Sequence, residues 1–152
     1  MIYVASDHGG FELKNKILDM LKENDYKAVD MGPDKLEPED DYPDYTIPCI
    51  KKVMENEKNR GIVICKNGVG ASILANKFPG IRAALTWNPE HASSSRNDDN
   101  TNVLALPASY INQNEAWEIT KTWLTTPFSN AERHVRRLNK ISRQETPSEG
   151  VF

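Results

Sequence analysis

The sequence predicts an α/β protein, a Rossmann-like three-layer αβα sandwich built on a five-stranded parallel sheet. Two observations carry that expectation. Short apolar runs alternate with longer stretches of helical hydrophobic spacing along the chain, the pattern of parallel strands joined by crossover helices. The chain also has 152 residues, 38% of them hydrophobic, with no internal repeat and no linker that would divide it. That is enough for one real core, so residues 1–143 read as a single domain and residues 144–152 as a C-terminal tail.

Residues 2–5 read as the first strand. Leu13, Ile17, Leu18 and Leu21 recur at helical spacing and place the first helix over residues 10–23. A second strand at 26–29 is followed by a polar, proline-bearing loop at 31–43. Helix 45–57 has Ile47, Ile50, Val53 and Met54 on its inner face, with Cys49 on the same apolar side. The unbroken apolar run 62–65 reads as a central strand, buried on both faces. A glycine-rich turn and a helix over 71–77 come next, then strand 81–85, helix 89–96 and strand 103–106. Two more helices, 115–124 (with Trp117 and Trp123 packed) and 130–141, complete the order. The tail contains proline, glycine and charge, and is expected to be loose or to lie on a partner subunit. No G-x-G-x-x-G follows the first strand, which argues against a dinucleotide site.

Composition removes several function classes. A net charge of -3 lacks the basic face expected of a nucleic-acid binder. No apolar run approaches the roughly 18 residues of a membrane span. Two cysteines without close spacing suggest neither a disulfide framework nor a zinc site, so a reducing, cytoplasmic setting is expected. The first strand begins directly after Met1, where a signal peptide would place a charged region and an apolar core.

The most informative stretch is Gly61-Ile-Val-Ile-Cys65-Lys-Asn67-Gly68-Val69-Gly70-Ala-Ser72. Its glycines permit positive φ and let main-chain N–H groups approach an anion such as phosphate or an enediolate oxygen. Cys65 lies beside that cradle, either as a buried small hydrophobe or as a base or nucleophile. Cys49 is the structural control. The first strand runs into Asp7-His8-Gly9-Gly10, where Asp7 suits a helix N-cap and His8 can change charge near neutral pH. The segment Asp98-Asp99-Asn100-Thr101-Asn102 precedes the fifth strand and is grouped here with the strand ends where open sheets bind ligands. Arg133 and Arg137 share a helix face at i and i+4 and suit a dianionic phosphate, the alternative being a solvated charged face. His91 reads as a surface residue.

These motifs, together with Asp41-Tyr42-Pro43 and the Ala75-Asn76-Lys77 that follows the turn, resemble the ribose-5-phosphate isomerase B (RpiB/LacAB) family of sugar-phosphate isomerases over residues 2–141. The resemblance implies aldose–ketose isomerisation without metal or organic cofactor, in a homodimer or tetramer whose active sites are shared between subunits. It implies that Cys65 moves a proton between C1 and C2, and that amides around Gly68–Ser72 hold the enediolate. His8, Arg133 and Arg137 would bind phosphate, with Asp7, Tyr42, Asn67 and Asp99 around the sugar. Asp98 stands where the family has a ring-opening histidine, and Ser109 near where many relatives have an arginine. D-ribose 5-phosphate and D-ribulose 5-phosphate are the expected pair. A six-carbon sugar phosphate and a non-catalytic sugar-phosphate-binding role are the rival readings.

Overall fold

The computed structural model describes residues 1–145, and its framework is one parallel sheet in the order β2-β1-β3-β5-β4. The strands are β1 (Ile2–Ser6), β2 (Ala28–Asp30), β3 (Arg60–Cys65), β4 (Ala83–Leu85) and β5 (Val103–Pro107). Alternation along each strand separates two cores. Ile62 and Ile64 point to the layer made by α1 (Phe11–Glu23), α4 (Pro89–Asp99) and α5 (Gln113–Thr125). Val63 and Cys65 point to the layer of α2 (Tyr42–Met54) and α3 (Val69–Ala75). The central strands β3 and β5 are almost entirely buried, as their unbroken apolar runs require. The predicted five-stranded αβα sandwich is therefore the observed fold.

Several boundaries differ, each for a local reason. Asp25 turns through φ 61, and pairing begins at Ile2 with Ala28, so β2 starts two residues later than the apolar pattern suggested. A single 3₁₀ turn, His8–Gly10, precedes α1. Helix α2 starts at Tyr42, and its inner face is Thr46, Cys49, Ile50 and Val53, while Met54 is exposed. Helix α4 runs three residues past the expected end, until Asn100 takes a left-handed conformation. The last helix, α6 (Glu132–Glu145), absorbs the first two residues of the expected tail; the remainder of that tail lies outside the described residues. Trp117 and Trp123 pack in the α1/α5 core as expected. Among the described residues, no helix is long and apolar enough to cross a membrane.

Candidate active site

The strand order reverses between β1 and β3, so the segments leaving these two strands share one crevice at their carboxyl ends. Asp7 and His8 leave β1 there; Lys66 and the glycine turn leave β3. The two turns touch: a Cβ added to Gly9 would lie 2.7 Å from Lys66 Cγ. Asp7 is buried and its carboxylate accepts a hydrogen bond from Gly10 N at 3.2 Å, so it caps the 3₁₀ turn. Burial pushes its carboxyl up from the usual value, against the pull of neighbouring His8. His8 keeps a third of its side chain exposed, and its Nδ1 lies 2.8 Å from Asp40 Oδ1. That contact raises the imidazole above its ordinary value.

Cys65 closes β3 with 4% of its surface exposed. Its thiol lies 3.8 Å from Asn67 Oδ1, and the same oxygen accepts from Val69 N at 3.0 Å. Gly68 turns the chain with φ 70, and the amides of Gly68, Gly70 and Ala71 have no hydrogen-bond acceptor among the described residues. The donor set is narrower than the sequence suggested. Val69 N–H is taken by Asn67, Ser72 N–H bonds to Gly68 O at 3.1 Å, and Ser72 Oγ donates to Val69 O. With only seven residues in α3, the individual amides matter more than a helix dipole. Tyr42 lies flush on the turn, since a Cβ on Gly70 would come within 2.6 Å of Tyr42 Cζ. Cys49 behaves as the structural control: fully buried, donating to Tyr3 O at 3.5 Å, its thiol pushed up to about 12 by desolvation.

The other expected site residues are elsewhere. Asp98 and Asp99 lie in the last turn of α4, just before β5, and β5 begins beside Gly61 at the amino end of β3. Grouping them with the strand carboxyl ends was an error of direction: α4 runs antiparallel to the strands, so its end returns to the opposite edge. Four residues of β3 separate that edge from Cys65, about 13 Å along the strand. Arg133 and Arg137 are exposed on α6 and make no hydrogen bond or ion pair among the described residues. Between them in sequence, His134 is the one buried residue of α6. Its Nδ1 lies 2.7 Å from Ser129 Oγ and its Nε2 3.6 Å from Asp98 Oδ1. Thus α6 and the end of α4 form a second group. Beside it runs a groove of about 840 Å³ lined by Phe78, Leu85, His91, Asp99, Leu138 and Ile141. His91, expected at the surface, is half-buried, its ring 4.7 Å from that of Trp87.

Two residues escaped the sequence reading. Asp40 sits in an acidic run, Glu39-Asp40-Asp41, whose look is that of a solvated loop. His134 lies unremarked between the two arginines, although the 3.6-residue period places it in line with Leu138 and Ile141 on the inner face. Among the described residues, no three His, Cys, Asp or Glu side chains are grouped to hold a metal ion.

Comparison with known proteins adds a sequence context to this geometry. Residues 2–141 match the family model described as Ribose/Galactose Isomerase. Ribose-5-phosphate isomerase B of Mycobacterium tuberculosis is 33% identical over 148 residues, covering 97% of this chain and 91% of the relative. The solved ribose-5-phosphate isomerase B of Clostridium thermocellum superposes with a TM-score of 0.90 at 42% identity, covering 95% and 96% of the two chains. That of Mycoplasma genitalium, with bound ribulose-5-phosphate, superposes with a TM-score of 0.93 at 38% identity, covering 97% of each.

Proposed function

The chain belongs to the ribose/galactose isomerase family and is an aldose–ketose isomerase acting on sugar phosphates, and on that premise we propose that it interconverts D-ribose 5-phosphate and D-ribulose 5-phosphate through an enediolate. The observation that carries this reading is the meeting of Cys65, three turn amides without an acceptor among the described residues, and His8 at the β1/β3 switch point. The choice of a pentose is supported by the ribulose-5-phosphate held by the Mycoplasma genitalium relative.

In this mechanism the Cys65 thiolate takes the proton from C2 of the open-chain aldose and returns it to C1, while a proton passes from O2 to O1. The Gly68, Gly70 and Ala71 amides face the oxyanion that develops between those steps, where fixed donors in a dry site act most strongly. Asn67 orients Cys65 and the turn. His8, Arg133 and Arg137 hold the phosphate, and Asp7, Tyr42 and Asp99 line the sugar. Asp98 accepts a proton from the anomeric hydroxyl during ring opening.

Asp98 and Asp99 lie at the amino end of β5, at the other end of the sheet from Cys65, and in this reading the site is completed by a second copy. A two-fold dimer would bring the α4–α6 group of each protomer to the switch point of the other. The apolar side chains of Val69 and Ile73 on α3 and Trp87 beyond β4, each more than 40% exposed, support such a face.

The test is a coupled assay of wild type and Cys65→Ala on a panel of pentose and hexose phosphates. Ribose 5-phosphate should give the highest kcat/KM, with turnover abolished in the variant. Preference for a hexose phosphate would overturn the substrate, and an active Cys65→Ala enzyme would overturn the base.

A further inference from the structure

The loop between β2 and α2 crosses 32 positions of sequence to place Asp40 against His8. Both donors of His8 that face the loop converge on a single oxygen: the main-chain N–H and Nδ1 each lie 2.8 Å from Asp40 Oδ1. Asp40 is itself nearly enclosed, 7% exposed at its side chain, and its Oδ2 is buried without a hydrogen-bond partner among the described residues. A fastening for the loop alone would need only the main-chain bond, and a neutral amide would make it without burying a charge. The carboxylate adds an effect on the ring. Because an ionised carboxylate only accepts, Nδ1 must carry the proton, and Nε2 is left as the free nitrogen of a side chain one-third exposed.

We propose that Asp40 is a positioning residue, which locks His8 with Nδ1–H toward the loop and presents Nε2–H to the substrate's phosphate. The inference rests on the phosphate role given to His8 above, and it assigns to the β2–α2 loop the charge state of that ligand. A phosphate oxygen needs a donor at Nε2, which only the imidazolium provides once Nδ1 is also protonated. The groups around the ring set how long that form survives. The Asp40 hydrogen bond is the largest influence raising it, Asp7 on the same turn and the Asp40 charge add to it, and burial opposes them. Lys66 reaches the same turn from β3, packed on Gly9, and Tyr45 of α2 neighbours Asp40, its phenol raised by burial and by that carboxylate. The sign follows. The pair is at full strength below the usual imidazole value of about 6.5 and is lost as pH rises through the raised value.

The test is NMR titration of the imidazole nitrogens in the full chain, with His8 assigned by loss of its signals in His8→Gln. Wild type should titrate above the ordinary imidazole value and, once neutral, carry its proton on Nδ1. Asp40→Asn should lower the midpoint toward the ordinary imidazole value and release the ring to the Nε2–H form. In steady-state assays wild-type KM for ribose 5-phosphate should rise from pH 6 to pH 8 as the Nε2 donor is lost, and Asp40→Asn should flatten that rise because its neutral ring keeps Nε2–H, with kcat little changed. An unmoved midpoint in Asp40→Asn overturns the proposal, and so does a KM penalty equal at both pH values, the mark of a merely loosened loop. Should the variant not fold, wild type alone decides, because a neutral Nε2–H tautomer overturns the proposal. The titration needs no turnover. An enzyme inactive on every sugar phosphate would therefore defeat the proposed function while the Asp40–His8 pairing is still read independently.

Discussion

The two groups of site residues are built in different ways. The switch-point group is part of the core: Cys65 ends a buried strand, Gly10 is sealed against Ile64, and Tyr42 rests on Gly70. The α4–α6 group is peripheral. Helix α6 has a strongly amphipathic sequence but buries only His134, and Arg133 and Arg137 project into solvent with its other two arginines. Under the proposed mechanism, the contrast separates two chemical tasks. Proton transfer and oxyanion binding need groups fixed to fractions of an ångström, which a close-packed sheet provides. Gripping a phosphate needs long, charged side chains that reach across a gap, and an outer helix can carry these to a neighbouring subunit.

The sharpest way to break this comparison is to split the site between chains. Cys65→Ala and Arg137→Ala homodimers should each lose activity, the first by about 10²–10⁴-fold. Co-expressed, they should recover about a quarter of wild-type activity, because half of randomly assorted dimers are mixed and each mixed dimer has one intact site. No recovery would mean that both groups serve one chain. Next in size, Arg137→Ala should raise KM for ribose 5-phosphate by about 10–100-fold, the worth of a hydrogen bond to a charged group. Equal losses on an unphosphorylated sugar would remove Arg137 from the phosphate. Gly70→Ala probes the rigid group: its methyl would lie inside the Tyr42 ring contact, and overpacking of this kind costs about 1–3 kcal/mol. A thermal melt unchanged from wild type would show that this turn yields more easily than the core around it. The smallest expected effect is for His134→Ala, which should lower Tm by about 2–4 °C for each kcal/mol lost. Hydrogen exchange should quicken in α6 while β3 stays protected. Matching increases in both would show that α6 is no less integral than the sheet.

How much of this was legible in the sequence differs between the same two groups. The glycine turn, Cys65 and the Asp7-His8 pair could be found because they follow strands directly, and a strand's carboxyl end is a ligand position in any open parallel sheet. Tyr42 was found by resemblance alone, since nothing in its spacing predicts that it starts a helix or covers Gly70. Asp98 was misplaced although its edge was legible, because a residue just before a strand of a parallel sheet lies at that strand's amino end. The donors at Val69 and Ser72 were counted as free because hydrogen bonds closing a turn are not visible in a residue pattern.

From the sequence alone came the layered fold, the central place of residues 62–65 and the inner faces of most helices. These are periodicities, and burial of an apolar face obeys the same period wherever the element ends up. Only the tertiary structure decided that Asp40 meets His8, that His134 meets Asp98, and that the helix carrying Arg133 and Arg137 packs against α4. Such pairings depend on how loops close and on which edge a helix returns to, and those are properties of the packed chain rather than of any local stretch of it.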